Sequence, residues 1–271
     1  MLMDEDLREL RVIANTLADA AGTEAMKWFR QAGLETQNKD ETGFDPVTHA
    51  DRNAEAAMRR ILAVSRPDDG IFGEEEGQTS GTTGLTWVLD PIDGTRAFIS
   101  GLPTWGILIA LDDGSRGRIG IIDQPFTGER YCGTLAEPSS ATLSRAGEER
   151  AISTRPCTGL SEATLMTTSP DLFEDGEMPA FAAVRDQSRL IRYGTDCYAY
   201  AMLALGQIDI VIETGLKAYD IAAPMALVQA AGGVVSDWKG RDCRWGGRTL
   251  AAGDPRVHEA ALEILSRVPE S

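Results

Sequence analysis

The chain has 271 residues, of which 42% are hydrophobic and 25% charged, and its formal net charge is −16 at pH 7. That is enough apolar material for one large domain or two modest ones with real cores. The acidic balance excludes a nucleic-acid backbone as the main partner, which needs a basic face, but allows a phosphorylated small molecule, because bound metals supply positive charge locally.

Residues 5–31 read as an amphipathic helix, with Leu7, Leu10, Ala14, Leu17, Ala18, Ala21 and Ala25 on one face. The start, Met1 to Asp6, is acidic and lacks the basic region of a signal peptide. A polar loop follows over 32–50, then a helix over 52–64 with Asp51 as its expected N-cap. Short strands are expected at 70–73, 85–90, 105–112, 117–123 and 128–133. Asp112-Asp113-Gly114 reads as a hairpin turn. The polar stretch 136–150 is the expected domain boundary, giving an N-terminal α+β domain over 1–140 and a C-terminal α/β domain over 141–271. In the second part, strands at 163–168, 208–213 and 233–237 alternate with helices near 179–187, 196–205 and 221–231. A last helix starts at Asp254-Pro255, with Pro at its first position. No apolar run approaches the ~20 residues of a membrane span. The cysteines Cys132, Cys157, Cys197 and Cys243 form no CxxC pair and read as reduced thiols of a cytoplasmic protein. With only His49 and His258, a His-based triad or zinc site has little to draw on.

Four stretches carry candidate chemistry. In Trp87-Val88-Leu89-Asp90-Pro91-Ile92-Asp93-Gly94-Thr95, a buried strand runs into two carboxylates and a turn. Two such charges about 4 Å apart repel by about 4 kcal/mol at an effective dielectric of about 20. A hard cation relieves this, and oxygen ligands select Mg²⁺, Mn²⁺ or Ca²⁺. The bland reading makes Asp93 a helix cap. Gly73-Glu74-Glu75-Glu76-Gly77 is a glycine-bounded acidic turn, read either as ligands or as a solvated loop. Asp220, in Lys217-Ala218-Tyr219-Asp220, is a helix cap or a ligand at a helix start. Asp45-Pro46-Val47-Thr48-His49-Ala50-Asp51 offers a carboxylate to hold Thr95 or a water, or is a loop and a cap.

Together these motifs, in this order from about residue 40 to 240, resemble the inositol monophosphatase family of Mg²⁺-dependent, lithium-sensitive phosphomonoesterases. The resemblance implies a layered αβαβα sandwich, a homodimer, two or three Mg²⁺ ions per site and a small-molecule phosphate monoester as substrate. It implies a metal shell of Glu74, Asp90, the Ile92 carbonyl, Asp93 and Asp220, with Glu75 as the fallback for Glu74. It also implies catalytic roles for Thr95, held by Asp45, and for Glu74, with the Gly94 and Thr95 amides on the phosphate. The attack on phosphorus is then in line, between metals roughly 3.5–4 Å apart.

Arg192, Gly194, Asp196 and Glu213 are the expected contacts to the rest of the substrate. Gly194-Thr195-Asp196-Cys197-Tyr198-Ala199-Tyr200, Gly215-Leu216-Lys217 before Tyr219-Asp220, and Phe98-Ile99 with Gly101 and Pro103 resemble the histidinol-phosphate phosphatases of the family. Asp196 and Glu213 suit a cationic substrate, whereas a polyol needs hydroxyl partners and no net negative pocket. The bland alternative makes Asp196 a helix cap and Glu213 a strand end. Polyol phosphates are the second expectation, and adenosine or sugar bisphosphates the third. A haloacid-dehalogenase-type phosphatase fails on spacing, since it needs Asp-x-Asp and this chain has Asp-x-x-Asp. A non-catalytic phosphoester-binding protein is the alternative of a different class.

Overall fold

The apolar face of the first helix covers one side of a large sheet, and the computed structural model describes residues 4–31, 36–38 and 46–269. In chain order the elements are α1 (Asp4–Ala25), β1 (Thr36–Asn38), β2 (Pro46–Thr48), α2 (His49–Ser65), β3 (Gly70–Gly73), β4 (Gly77–Thr79), β5 (Thr86–Asp93), α3 (Thr95–Ile99), β6 (Gly106–Asp112), β7 (Gly117–Gln124), β8 (Glu129–Thr134), β9 (Ser140–Arg145) and β10 (Glu148–Ala151). After these come β11 (Thr164–Thr167), α4 (Met178–Arg185), β12 (Leu190–Tyr193), α5 (Tyr198–Ala204), β13 (Ile210–Lys217), α6 (Ala218–Ala230), β14 (Val234–Ser236), β15 (Gly246–Ala252) and α7 (Pro255–Leu265).

Eight strands form one sheet in the order β10-β9-β8-β7-β6-β5-β3-β4, and five form another in the order β12-β11-β13-β15-β14. The first sheet is antiparallel except at β3–β5. The second is mixed, with β11 parallel to both neighbours. Strand alternation sorts the side chains into layers. Trp87, Leu89, Ile109 and Ile121 meet α1 and α2, while Val88, Leu108 and Ile122 on the opposite face meet α5 and α6. Val211 and Ala251 of the second sheet close that middle layer. Ile210, Ile212 and Leu250 face α4 and α7 on the outside. The result is the expected αβαβα sandwich.

Several boundaries differ from expectation. The expected boundary stretch 136–150 forms most of β9 and β10, which pair with each other and with β8. Position 140/141 therefore falls inside the first sheet, and the chain leaves that sheet only after Ala151. The stretch is largely polar and β10 is exposed throughout, so in sequence it reads as a loop. Asp51 is not the N-cap of α2, which starts at His49 and holds Asp51 buried in its first turn. The first helix ends at Ala25, and Arg30, at φ 60°, belongs to the turn beyond it. The Asp112–Gly114 hairpin turn is present, with the Gly114 N–H donating to Asp112 Oδ1 at 2.7 Å. Asp254 caps α7 by accepting from the Arg256 N–H at 2.9 Å, with Pro255 in the first turn.

Candidate active site

Two breaks in strand register build the site. In a regular strand, residues three apart point to opposite faces. β5 pairs with β6 up to Asp90↔Leu108 and resumes at Asp93↔Gly106, with an irregularity between. As a result the Ile92 side chain enters the first core, while Asp90 and Asp93 line one cavity. β13 repeats the device: its pairing with β15 breaks between Glu213 and Leu216, and both residues line that same cavity. Bulges re-aim side chains in this way next to active sites.

The cavity is about 270 Å³, and Glu74, Asp90, Ile92, Asp93, Asp220 and Glu213 contribute to its wall together with Gly94, Thr95, Arg96 and Asp196. Local hydrogen bonds fix the turn after β5. The Ile92 N–H donates to Asp90 Oδ1 at 3.0 Å, and the Thr95 hydroxyl donates to the Ile92 carbonyl at 3.1 Å. Gly94 has φ 82°, and a Cβ there would lie 3.0 Å from the Asp196 Cβ, so a glycine is required on both counts. Asp93 is not a helix cap. Its Oδ2 accepts from the Cys197 N–H at 2.7 Å, across from the other half of the chain. Asp220 lies in the first turn of α6, where its Oδ2 accepts from the Lys217 N–H at 2.6 Å as the back-reaching arm of a capping box.

Asp90, Asp93 and Asp220 each bring a carboxylate oxygen within 4.8 Å of the others. Burial pushes the Asp90 carboxyl well above its ordinary range, and the charges of Glu74, Asp93, Asp220 and Asp51 push it further. Asp93 is raised by burial first, then by Asp196 and Asp220, against the hydrogen bonds from Cys197. This cluster is unfavourable in the ionised state without a cation, and its donors are all oxygens. It fits a hard divalent ion such as Mg²⁺, Mn²⁺ or Ca²⁺.

Beyond this cluster lies a second acidic pair. Asp196 is raised to about 6 by burial, opposed by Arg96. It does not cap α5, whose N-cap residue is Cys197, and it adopts φ 42°. Glu213 is 2% exposed and accepts from the Thr168 N–H at 2.7 Å and the Thr167 and Thr168 hydroxyls at 3.3 and 3.1 Å. Burial raises it to about 8 in spite of those donors.

Not every expected residue is brought here. Asp45 lies outside the described residues. Glu75 is nearly buried 3.8 Å from Arg52 and does not line the cavity. Arg192 and Gly194, expected as substrate contacts, are exposed and are not among its lining residues. β12, which carries Arg192, is the outermost strand of its sheet. Gly194 turns its carbonyl to the Thr104 hydroxyl at 3.2 Å. His49 is exposed, its ring 6.1 Å from that of Trp28.

Sequence reasoning missed other contributors. Asp51, 1% exposed, adds charge at Asp90. Its place in the Asp45–Asp51 motif was the available signal. Glu55 is fully buried and accepts from the Glu75 and Glu76 N–H groups at 2.7 and 3.0 Å and from Arg59 Nε at 2.8 Å. It thereby holds the acidic turn that carries Glu74. Thr168, Leu172 and Leu216 had no signal, since their role depends on where β11 and β13 lie relative to β5.

Similarity to known proteins agrees with this geometry. A model of the inositol monophosphatase family matches residues 6–270. The chain belongs to the inositol monophosphatase family. Across 97% of its length it is 42% identical to a chloroplastic bifunctional phosphatase, IMPL2, of Arabidopsis thaliana, covering 77% of that protein. It is 33% identical to a histidinol-phosphatase of Streptomyces coelicolor, over 98% of this chain and 99% of that one. A solved inositol monophosphatase from Zymomonas mobilis superposes with a TM-score of 0.82 at 43% identity, over 97% of this chain and 98% of that one. As a member of this metal-dependent family, the protein is a phosphoric monoester hydrolase.

Proposed function

We propose that this inositol monophosphatase family member uses Mg²⁺ to hydrolyse L-histidinol phosphate to L-histidinol and phosphate, a step of histidine biosynthesis. The observation that carries the reading is the second acidic pair. Asp196 and Glu213 line the same cavity as the proposed metal carboxylates. Histidinol phosphate brings an ammonium and a titratable imidazole to these two side chains, Asp196 as the anion at neutral pH and the Glu213 carboxyl as a hydrogen-bond partner. The similarity to a histidinol-phosphatase supports it.

Glu74, Asp90, the Ile92 carbonyl, Asp93 and Asp220 would hold two or three Mg²⁺ ions. Bound there, the cation supplies neutralising charge to the phosphoryl oxygens and acidifies water. The chain's own groups do the rest. The Gly94 and Thr95 N–H groups, in the turn that opens α3, would offer donors to the phosphate. Thr95, paired with the Ile92 carbonyl, accepts and orients the attacking water, and Asp45 is proposed to assist it. Water adds to phosphorus as the ester P–O bond breaks, and the departing alkoxide takes up a proton. Asp196 and Glu213 orient the leaving group so that attack and departure lie in line.

A polyol phosphate is the second reading, favoured by the similarity to the Zymomonas mobilis enzyme. Phosphate release from L-histidinol phosphate and myo-inositol 1-phosphate, with Mg²⁺ and an EDTA control, separates the two. The expected result is a kcat/KM preference of at least about a hundredfold for histidinol phosphate, about 2.7 kcal/mol of differential binding. Asp196→Ala is expected to raise KM for the cationic ester far more than for the polyol. The reverse preference overturns the substrate assignment and leaves the metal chemistry standing. A cytoplasmic homodimer completes the proposal. Four buried, unpaired cysteines suit a reducing compartment, and sedimentation of the purified protein tests the dimer.

A further inference from the structure

Two leucines that neither the metal chemistry nor the acidic pair uses line the cavity. Leu172 and Leu216 line it beside Thr168 and Glu213. Leu172 ends the short turn Pro170–Leu172, which is capped by the Ser169 hydroxyl accepting from the Asp171 N–H at 3.2 Å. Leu172 is 41% exposed and belongs to none of the three apolar cores among the described residues. A single exposed leucine is ordinary on a protein surface. This one stands at the wall of a cavity that six carboxylates also line. Leu216 is only half-buried, and the register break of β13 turns it to the same cavity as Glu213, three residues before it. Phosphate and metal gain nothing from two aliphatic walls. A polyol, with hydroxyls around its rim, loses hydration against them.

We propose that Leu172 and Leu216 form an apolar slot that selects phosphate monoesters whose leaving group carries a flat, weakly polar ring, leaving Asp196 and Glu213 to meet N–H groups at the ring edge. The slot extends the histidinol phosphate reading and rests on it for the identity of that ring. Leaving groups without a flat ring gain only the phosphate and carboxylate contacts. Ligand sites commonly combine apolar walls with a few placed polar groups in this way.

The test uses the Mg²⁺-loaded full chain and three esters: L-histidinol phosphate, phenyl phosphate and glycerol 2-phosphate. Leu172→Asn is compared with Leu172→Ala and the unaltered protein, with melting temperatures as a check on folding. Partial loss of an apolar contact in a substrate pocket is worth about tenfold. Leu172→Asn is therefore expected to lower kcat/KM for both ring esters about tenfold, mainly through KM, and at least about fivefold more than for glycerol 2-phosphate. Leu172→Ala is expected to follow in the same order with smaller losses. An equal loss on all three esters, or no loss on the ring esters, overturns the slot. If the unaltered enzyme prefers inositol phosphate, the histidinol reading fails separately, and the contrast between phenyl phosphate and glycerol 2-phosphate still decides the slot.

Discussion

At the scale of single residues, the site is a set of carboxylates that are wholly or partly buried together around one cavity. Burial is the largest cause of the upward shift at Asp90, Asp93, Asp196 and Glu213 alike. Glu213 allows a clean pH prediction, because it lies seven residues from the nearest metal carboxylate in sequence and is paired with neutral threonine donors. In the unfolded chain it gives up its proton near the ordinary 4.5, while in the folded protein it keeps it to about 8. The folded state therefore binds more protons between those values, and stability falls as pH rises through that window. The contribution is fully present below 4.5 and lost above about 8. Glu213→Gln cannot titrate. Denaturant unfolding at pH 5 and 8.5 is expected to show a smaller stability drop in the variant, by on the order of 2–4 kcal/mol. Parallel pH curves for the two proteins contradict the assignment.

At the scale of elements, α6 joins the two halves of the chemistry. It carries Asp220 at its start and lies directly against the first sheet. Gly120 and Gly133 are cross-strand partners in β7 and β8, and the helix passes so close that a Cβ on Gly133 would lie 2.5 Å from the Leu227 Cα. No side chain fits there unless helix or sheet moves. Gly133→Ala is expected to destabilise the protein by about 1–3 kcal/mol through overpacking, seen as a lower melting temperature. It is also expected to raise the Mg²⁺ concentration for half-maximal activity, because displacing α6 displaces Asp220. A variant with unaltered melting and Mg²⁺ response refutes the close approach. The elements also explain the missed edges. β4, β10 and β12 are short or exposed edge strands with little apolar alternation, and only pairing with a neighbour makes them strands.

At the scale of the whole molecule, a net charge of −16 and a carboxylate cluster at the centre mean that folding works against self-repulsion until cations bind. A ligand that binds only the folded state stabilises it by about 2.7 kcal/mol at a hundred times its Kd. Mg²⁺ is therefore expected to raise the melting temperature by several degrees over EDTA-treated protein, at about 2–4 °C per kcal/mol. Asp93→Asn removes one charge from the cluster and keeps an acceptor for the Cys197 N–H. In EDTA it is expected to melt no lower than the unaltered protein. Its Mg²⁺-dependent shift is expected to vanish, and activity to fall by at least about a hundredfold. A normal Mg²⁺ shift in this variant removes Asp93 from the metal shell.

The sequence by itself determined the family and its chemistry. Asp90, Asp93 and the Gly94-Thr95 turn are contiguous, so one strand and one turn place them, and the short apolar runs of β5, β6 and β7 read directly as buried strands. Local information ends where partners are distant. The sequence reads Asp51 as a helix cap and offers a cap as the bland alternative for Asp93, because a cap needs only its neighbours. Their roles here depend on Asp90 and on the Cys197 N–H, 104 residues beyond Asp93. The register breaks at Asp90/Asp93 and Glu213/Leu216 exist only against β6 and β15. Tertiary structure alone decided that Glu75 faces Arg52, that Arg192 stays on an outer strand, and that Leu172 and Glu213 line one cavity. Each of these is set by which strands become neighbours, and strand pairing is a property of the whole chain.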